Sequence, residues 1–232
     1  HLSIADEKEL IRINDAKNNS ISLRADSTID VVRIIEKRLG SNTKQKKWFY
    51  IQPVLTYPTI EQYQIGAEFM GEKKLSSVLN IAINIFDKLE VKPLIQISNM
   101  KIPHIVSSLF EELSLDDFRH INIEKFLNLK VQWLSKLVYL QNVEQINELL
   151  EIVPNELKIE LTKMKELCEE IGSQNSVIAP MYYAKMLYYD ELFFRVIQGN
   201  EVYARGGRYK NNDVSSVGFA IYTDSIIEEK VK

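Results

Sequence analysis

No glycine occurs between Gly71 and Gly172, and that absence constrains the fold more than any other feature of the chain. Glycine supplies the tight turns and left-handed conformations that interrupt regular structure, so a long span without it favours continuous elements. Inside the span, apolar residues from Ile102 to Ile171 recur at helical spacing with Glu and Lys between them. The segments are too short for a coiled coil, and the pattern predicts a helical subdomain at about 102–171. Strand patterns flank it on both sides.

Before the block, "ELIRINDAKNNSISLRAD" reads as a β-hairpin: Leu10, Ile11 and Ile13 enter a polar turn, and Ile21 and Leu23 leave it. "DSTIDVVRIIEKRL" reads as a helix capped by Asp26 or Ser27, with an apolar stripe of Ile29, Val32, Ile35 and Leu39. "KWFYIQPVLTY" and "EQYQIGAEFM" follow as antiparallel strands joined by a Pro-Thr turn. A helix from Lys73 to Glu90 presents Leu75, Val78, Ile81, Ile85 and Leu89, and "KPLIQIS" is a strand. Beyond the polar break "GSQNS", strands return in "MLYYDELFFRVI", "NEVYARGG" and "SSVGFAIYT", ahead of the terminal "DSIIEEKVK". The order predicts an α+β fold, a mixed sheet with helices packed against it, and the length allows one large domain or two small ones.

One strand is unusual. In "EQYQIGAEFMG" side chains alternate, so Tyr63, Ile65, Ala67 and Phe69 share a face that reads as core. Gln64, Gly66 and Glu68 share the other, with bare backbone between an amide and a carboxylate. The glycine pair in "RGGRY", Arg205–Tyr209, reads as a β-turn, and adjacent Tyr188 and Tyr189 are expected on opposite sides of a strand. The lysines of "KRLGSNTKQKK" read as a solvated loop.

Other features narrow the function. A net charge of −3 makes nucleic acid an unlikely partner, and one cysteine, Cys168, excludes a disulfide framework and is expected in the core. The three histidines, His1, His104 and His120, have no metal spacing. No phosphate loop, placeable Ser-His-Asp or Cys-His set, membrane span or signal peptide is present, so no cofactor or metal is expected and a cytoplasmic location is.

Taken in order, "LRADST", "WFYIQPVLTY", "QYQIGAE", "LYYDELFF", "GGRY" and "VGFAI" resemble the catalytic domain of the histidyl-tRNA synthetase family. They match its L-R-P-[DE]-x-T segment, class II motif 2, its two histidine signatures Y-Y-x-x-x-F and G-G-R-Y-D, and the start of motif 3. The resemblance spans about Leu10 to Ile226 and implies, over residues 1–232, a single class II aminoacyl-tRNA synthetase-like domain, an antiparallel sheet flanked by helices with a helical insert.

The departures matter as much. Where motif 2 has F-R-Y-E, the chain has "LTYP", placing Thr56 at the ATP-gripping arginine and Pro58 at the acid. Where motif 3 has its phosphate-holding arginine, Ser225 stands. The arginine before the Tyr-Tyr pair corresponds to Ala184 or Lys185, and Asp190 and Glu191 replace the small residues after it. Neither Thr nor Ser neutralises a triphosphate. The resemblance with these losses, and with no anticodon-binding domain expected, implies a non-catalytic paralogue: the regulatory subunits of ATP phosphoribosyltransferase, which opens histidine biosynthesis. Expected partners are the catalytic subunit of that enzyme, a second copy in a homodimer within a hetero-oligomer, and histidine. No residue is expected to be catalytic; Asp26, Gln64, Glu68, Tyr189 and Arg208 are the expected histidine-binding residues. The rival reading is a truncated or divergent histidyl-tRNA synthetase-like enzyme or pseudo-enzyme, which requires arginines from elsewhere in the chain.

Overall fold

The computed structural model describes residues 10–39, 43–58, 60–172, 175–184, 188–211 and 214–231. A small antiparallel hairpin, β1 (Arg12–Asn14) and β2 (Ser20–Ser22), comes first. It forms its own two-stranded sheet, with Ile13 and Ile21 exposed. The chain then enters α1 (Ser27–Ile34), extended by a wider π-turn at Ile35–Leu39. Asp26 is the N-cap, its carboxylate accepting from the Ile29 N–H at 3.4 Å. Of the expected stripe, Ile29, Val32 and Ile35 are buried and Leu39 is exposed.

β3 (Lys47–Thr56) and β4 (Ile60–Met70) pair antiparallel, then α2 (Ser76–Lys88) and β5 (Leu94–Asn99) follow. In α2 the buried stripe is Leu75, Val78, Leu79, Ala82 and Phe86, leaving Ile81 and Leu89 exposed. Six helices make up the helical subdomain: α3 (Lys101–Leu109), α4 (Leu115–Arg119), α5 (Ile123–Asn128), α6 (Gln132–Val138), α7 (Val143–Leu150) and α8 (Asn155–Ile171). Gly172, at φ 58°, ends α8 in the left-handed region that a glycine adopts without strain.

The short β6 (Ser176–Ile178) was not evident in the sequence; it lies parallel to β5. β7 (Tyr189–Gln198), β8 (Glu201–Asn211) and β9 (Val214–Tyr222) complete the sheet, and α9 (Thr223–Val231) follows. The strand order is β3-β4-β9-β8-β7-β5-β6, antiparallel at every pairing except β5 with β6. Among the described residues no helix is long and apolar enough to cross a membrane.

One buried cluster runs from the sheet (Ile97, Phe193, Phe194, Val217) into the helical block (Phe118, Phe126, Leu134, Leu157, Met164). Polar groups reinforce the junction. Buried Glu160 of α8 accepts from the Asn99 amide at 2.8 Å, and buried Glu191 of β7 meets Lys101, Lys163 and Arg208. Cys168 is a core residue, its thiol pushed up to about 12 by burial.

Because the core is continuous, Phe126→Ala should weaken sheet and helices together, costing about 3–5 kcal/mol. Urea unfolding followed through Trp48 in β3 and Trp133 in α6, each as the sole tryptophan, should give the same lowered midpoint. Separate midpoints would show that the block unfolds on its own.

Candidate ligand site

The candidate site lies on one face of the sheet where β4, β9, β8 and the start of β7 meet, beneath the turn that starts α1. Residues paired across neighbouring strands share a face. One row crosses all seven strands as Tyr50, Gly66, Ala220, Arg205, Arg195, Gln96 and Val177. The next contains Trp48, Glu68, Gly218, Gly207 and Phe193. Gln64 sits opposite Tyr222.

Alternation in β4 is as the sequence requires, and Phe69 of the expected core face does join the core, but the polar face is the more deeply buried one. Gln64 and Glu68 are 1% and 0% exposed, whereas Tyr63, expected in the core, is 48% exposed. The covering comes from the loop that opens α1. The Ser27 N–H donates to Gln64 Oε1 at 3.2 Å, and the Thr28 hydroxyl donates to Glu68 Oε1 at 2.8 Å. Tyr209 donates to Glu68 Oε2, also at 2.8 Å. The Tyr50 hydroxyl lies 3.2 Å from Thr28 Oγ1 and, with the Thr28 proton directed at Glu68, donates to it.

Glycines on this face make room for side chains of the chain itself. A Cβ on Gly218 would fall 1.8 Å from Glu68 Oε2, and one on Gly207 would meet the Tyr189 ring at 2.5 Å. The space over Gly66, which looked open to a ligand, is filled by the Tyr50 phenol, 2.4 Å from where a Cβ would stand. Gly206 and Gly207 lie inside β8, so "RGGRY" is not a turn; the glycines let the Phe194 and Tyr189 rings lie flat against the strand.

Asp26, Gln64, Glu68 and Tyr189 are all buried around this site. Tyr188 and Tyr189, expected on opposite sides, come together instead: their hydroxyls are 3.3 Å apart and their ring centroids 4.5 Å. The strand begins only at Tyr189 and its register with β8 shifts before Phe193, which breaks the alternation. Arg208 is placed elsewhere. It alternates with Gly207 and Tyr209 onto the opposite face, where it grips Asp190 through two nitrogens at 3.0 and 3.3 Å and also meets Glu191. Asp190 and Glu191 therefore neither fill nor recharge the site. Ala184 is buried; Lys185 and Gly40–Asn42 of the lysine-rich loop lie outside the described residues.

Sequence reasoning missed Thr28, Tyr209, Tyr222 and Arg205 as site residues, although the first two stand in the quoted "LRADST" and "GGRY" segments. Tyr222 takes hydrogen bonds from Gln64 and from Arg205, the latter at 3.4 Å. Burial dominates the electrostatics. It raises the Glu68 carboxyl to about 8 against its two hydroxyl donors, and Asp26 to about 6 against backbone N–H groups and the Arg205 charge. Glu68 is thus neutral at neutral pH and able to donate or accept, while Asp26 is mostly ionised. An acid, a neutral carboxyl, an amide and a ring of phenols can recognise a compact ligand rich in N–H groups.

The histidyl-tRNA synthetase family matches residues 2–226. The ATP phosphoribosyltransferase regulatory subunit of Wolinella succinogenes is 42% identical over 229 residues, which cover 99% of this chain and 79% of that protein. A solved regulatory subunit/histidyl-tRNA synthetase from Bacillus halodurans C shares the fold at a TM-score of 0.85 and 17% identity, over 98% of this chain and 69% of that one. A chain of the ATP phosphoribosyl transferase (HisG:HisZ) complex from Thermotoga maritima does so at 0.71 and 20%, over 96% of this chain and 89% of that one. The chain belongs to the histidyl-tRNA synthetase family, on its branch of ATP phosphoribosyltransferase regulatory subunits.

A carboxyl whose pKa rises on folding takes up protons as the chain folds, so its contribution favours the native state at low pH and is lost as pH rises. For Glu68 that window runs from the ordinary 4.5 to about 8. Wild-type stability should fall between about pH 5 and about pH 8, and Glu68→Gln should fall less, measured by urea midpoints. An unchanged slope in Glu68→Gln would show that Glu68 ionises normally.

Proposed function

We propose that this chain is a regulatory subunit of ATP phosphoribosyltransferase that acts by protein contact and carries the feedback signal of histidine without catalysing a reaction. The observation that carries the reading is a contrast within one fold. The buried polar site of Asp26, Gln64, Glu68 and Tyr189 is complete, while Thr56 and Ser225 occupy the positions where the resemblance calls for phosphate-gripping arginines. Adenylate formation depends on electrostatic stabilisation of a triphosphate, and two short hydroxyl side chains do not supply it. The 42% identity to a regulatory subunit supports the same reading, and a fold neighbour that occurs in a HisG:HisZ complex supports a catalytic subunit as partner. The proposal includes one synthetase-like domain, a homodimer within a hetero-oligomer, and a cytoplasmic location, the compartment of a soluble biosynthetic assembly.

In this site the histidine ammonium faces Asp26 and Gln64, and the imidazole faces Glu68 and Tyr189. Arg208 acts from outside it, holding Asp190 and Glu191 on the far side of the sheet. Regulation then amounts to a coupling free energy: histidine must bind one state of the assembly more tightly than the other.

Mixing the chain with the catalytic subunit of its own organism should yield a co-purifying complex with higher phosphoribosyltransferase activity, inhibited by histidine. The chain alone should show no histidine-dependent ATP–pyrophosphate exchange. Clear exchange, or no effect on the catalytic subunit at any ratio, would overturn the proposal.

Histidine binding should also release a proton near neutral pH, because an imidazole N–H or imidazolium beside Glu68 favours its ionised form. Calorimetry in buffers of different ionisation enthalpy should reveal the release, and Glu68→Gln should abolish it.

A further inference from the structure

Arg195 of β7 and Arg205 of β8 stand directly opposite each other in the sheet. Like charges in register repel, and buried charges ordinarily find a carboxylate. These two half-buried arginines do not: among the described residues neither forms an ion pair, and the Nε of each is buried without a hydrogen-bond acceptor. Arg195 is partly compensated, its guanidinium 3.8 Å from the Tyr182 ring centroid and donating to Gln96 Oε1 at 2.6 Å. Arg205 donates to the Tyr222 phenol at 3.4 Å, and Tyr182 and Tyr189 add weaker favourable fields. The contrast is Arg208, three residues on, which has both Asp190 and Glu191. Asp190 and Glu191 are thus committed to the opposite face, and on the site face the Arg205 guanidinium lies within the field of Asp26 but forms no ion pair with it among the described residues.

Its position is specific. Tyr222 joins Arg205 to Gln64, Gln64 holds the Ser27 N–H, and Asp26 precedes Ser27. The Arg205 charge reaches Asp26 without an ion pair between them. A carboxylate and a guanidinium thus flank one amide, the arrangement that suits an ammonium and a carboxylate borne on a single carbon.

We propose that Arg205 anchors the carboxylate of a free α-amino acid, with Arg195 reinforcing the positive field, and so makes the site selective for amino acids over the corresponding amines and alcohols. This deepens the reading of the site as a histidine pocket and rests on it. Arginine suits the anchoring role because its planar fork takes both oxygens of a carboxylate.

Titration calorimetry on the full purified chain, with L-histidine, L-histidinol and histamine, tests the assignment. A charge-assisted hydrogen bond of typical strength predicts that wild type binds L-histidine about tenfold or more tighter than either analogue lacking the carboxylate. Arg205→Met should remove that preference by weakening L-histidine alone, leaving L-histidinol within about threefold. Arg205→Lys should keep part of it, and it carries the test if Arg205→Met does not fold. Equal wild-type affinities for L-histidine and L-histidinol, or equal losses for both in the variants, would overturn the role of Arg205 and leave the pocket standing. No binding of L-histidine or either analogue to wild type would overturn the pocket and the anchor together.

Discussion

The contact on which the site depends is the buried Glu68 carboxyl and its two hydroxyl donors. Thr28 reaches it from the start of α1 and Tyr209 from β8, while Glu68 itself stands in β4. Three elements distant in sequence are thereby referenced to one point. Two hydroxyls do not compensate for a buried negative charge, so the group retains its proton well above the ordinary carboxylate range. Gly218 is required beside it, since any side chain would occupy the space of the carboxyl oxygen. Gln64 repeats the arrangement four residues earlier, binding the Ser27 backbone and thereby placing Asp26.

The sheet separates two electrostatic environments. On the face toward α1, buried Asp26 and half-buried Arg205 form no ion pair among the described residues and are surrounded by phenols whose pKa values burial has raised. On the other face, Glu160, Asp190 and Glu191 are fully engaged with Lys101, Lys163 and Arg208, joining the helical block to the strands. The first environment is suited to exchanging its partners for a ligand's. The second is suited to holding the framework still while it does so.

Much of the framework was legible because it depends on local physics. The block from about 102 to 171 became helices, and the alternating runs became antiparallel strands. Errors arose where a local pattern has two solutions. Alternation in β4 sorted Gln64 and Glu68 from Tyr63, yet which set is covered depends on a loop from about residue 26 folding across the sheet. The glycines of "RGGRY" are compatible with a turn or a tightly packed strand, and only the Phe194 and Tyr189 rings decide between them. Arg208 was assigned to the site by its motif, whereas the pleat of β8 directs it away and directs Arg205 toward it.

The sequence by itself determined the element order, the family resemblance, the pairing of Gln64 with Glu68 on one face, and the absence of arginine at Thr56 and Ser225. These are properties of residue identity and short-range spacing. The tertiary structure alone decided that the polar face is the more deeply buried one, that burial raises the Glu68 carboxyl to about 8, and that Arg205 stands at the site without an ion pair among the described residues. Desolvation and ion pairing depend on which distant segments cover a residue, and no local pattern in "EQYQIGAEFMG" or "RGGRY" encodes that.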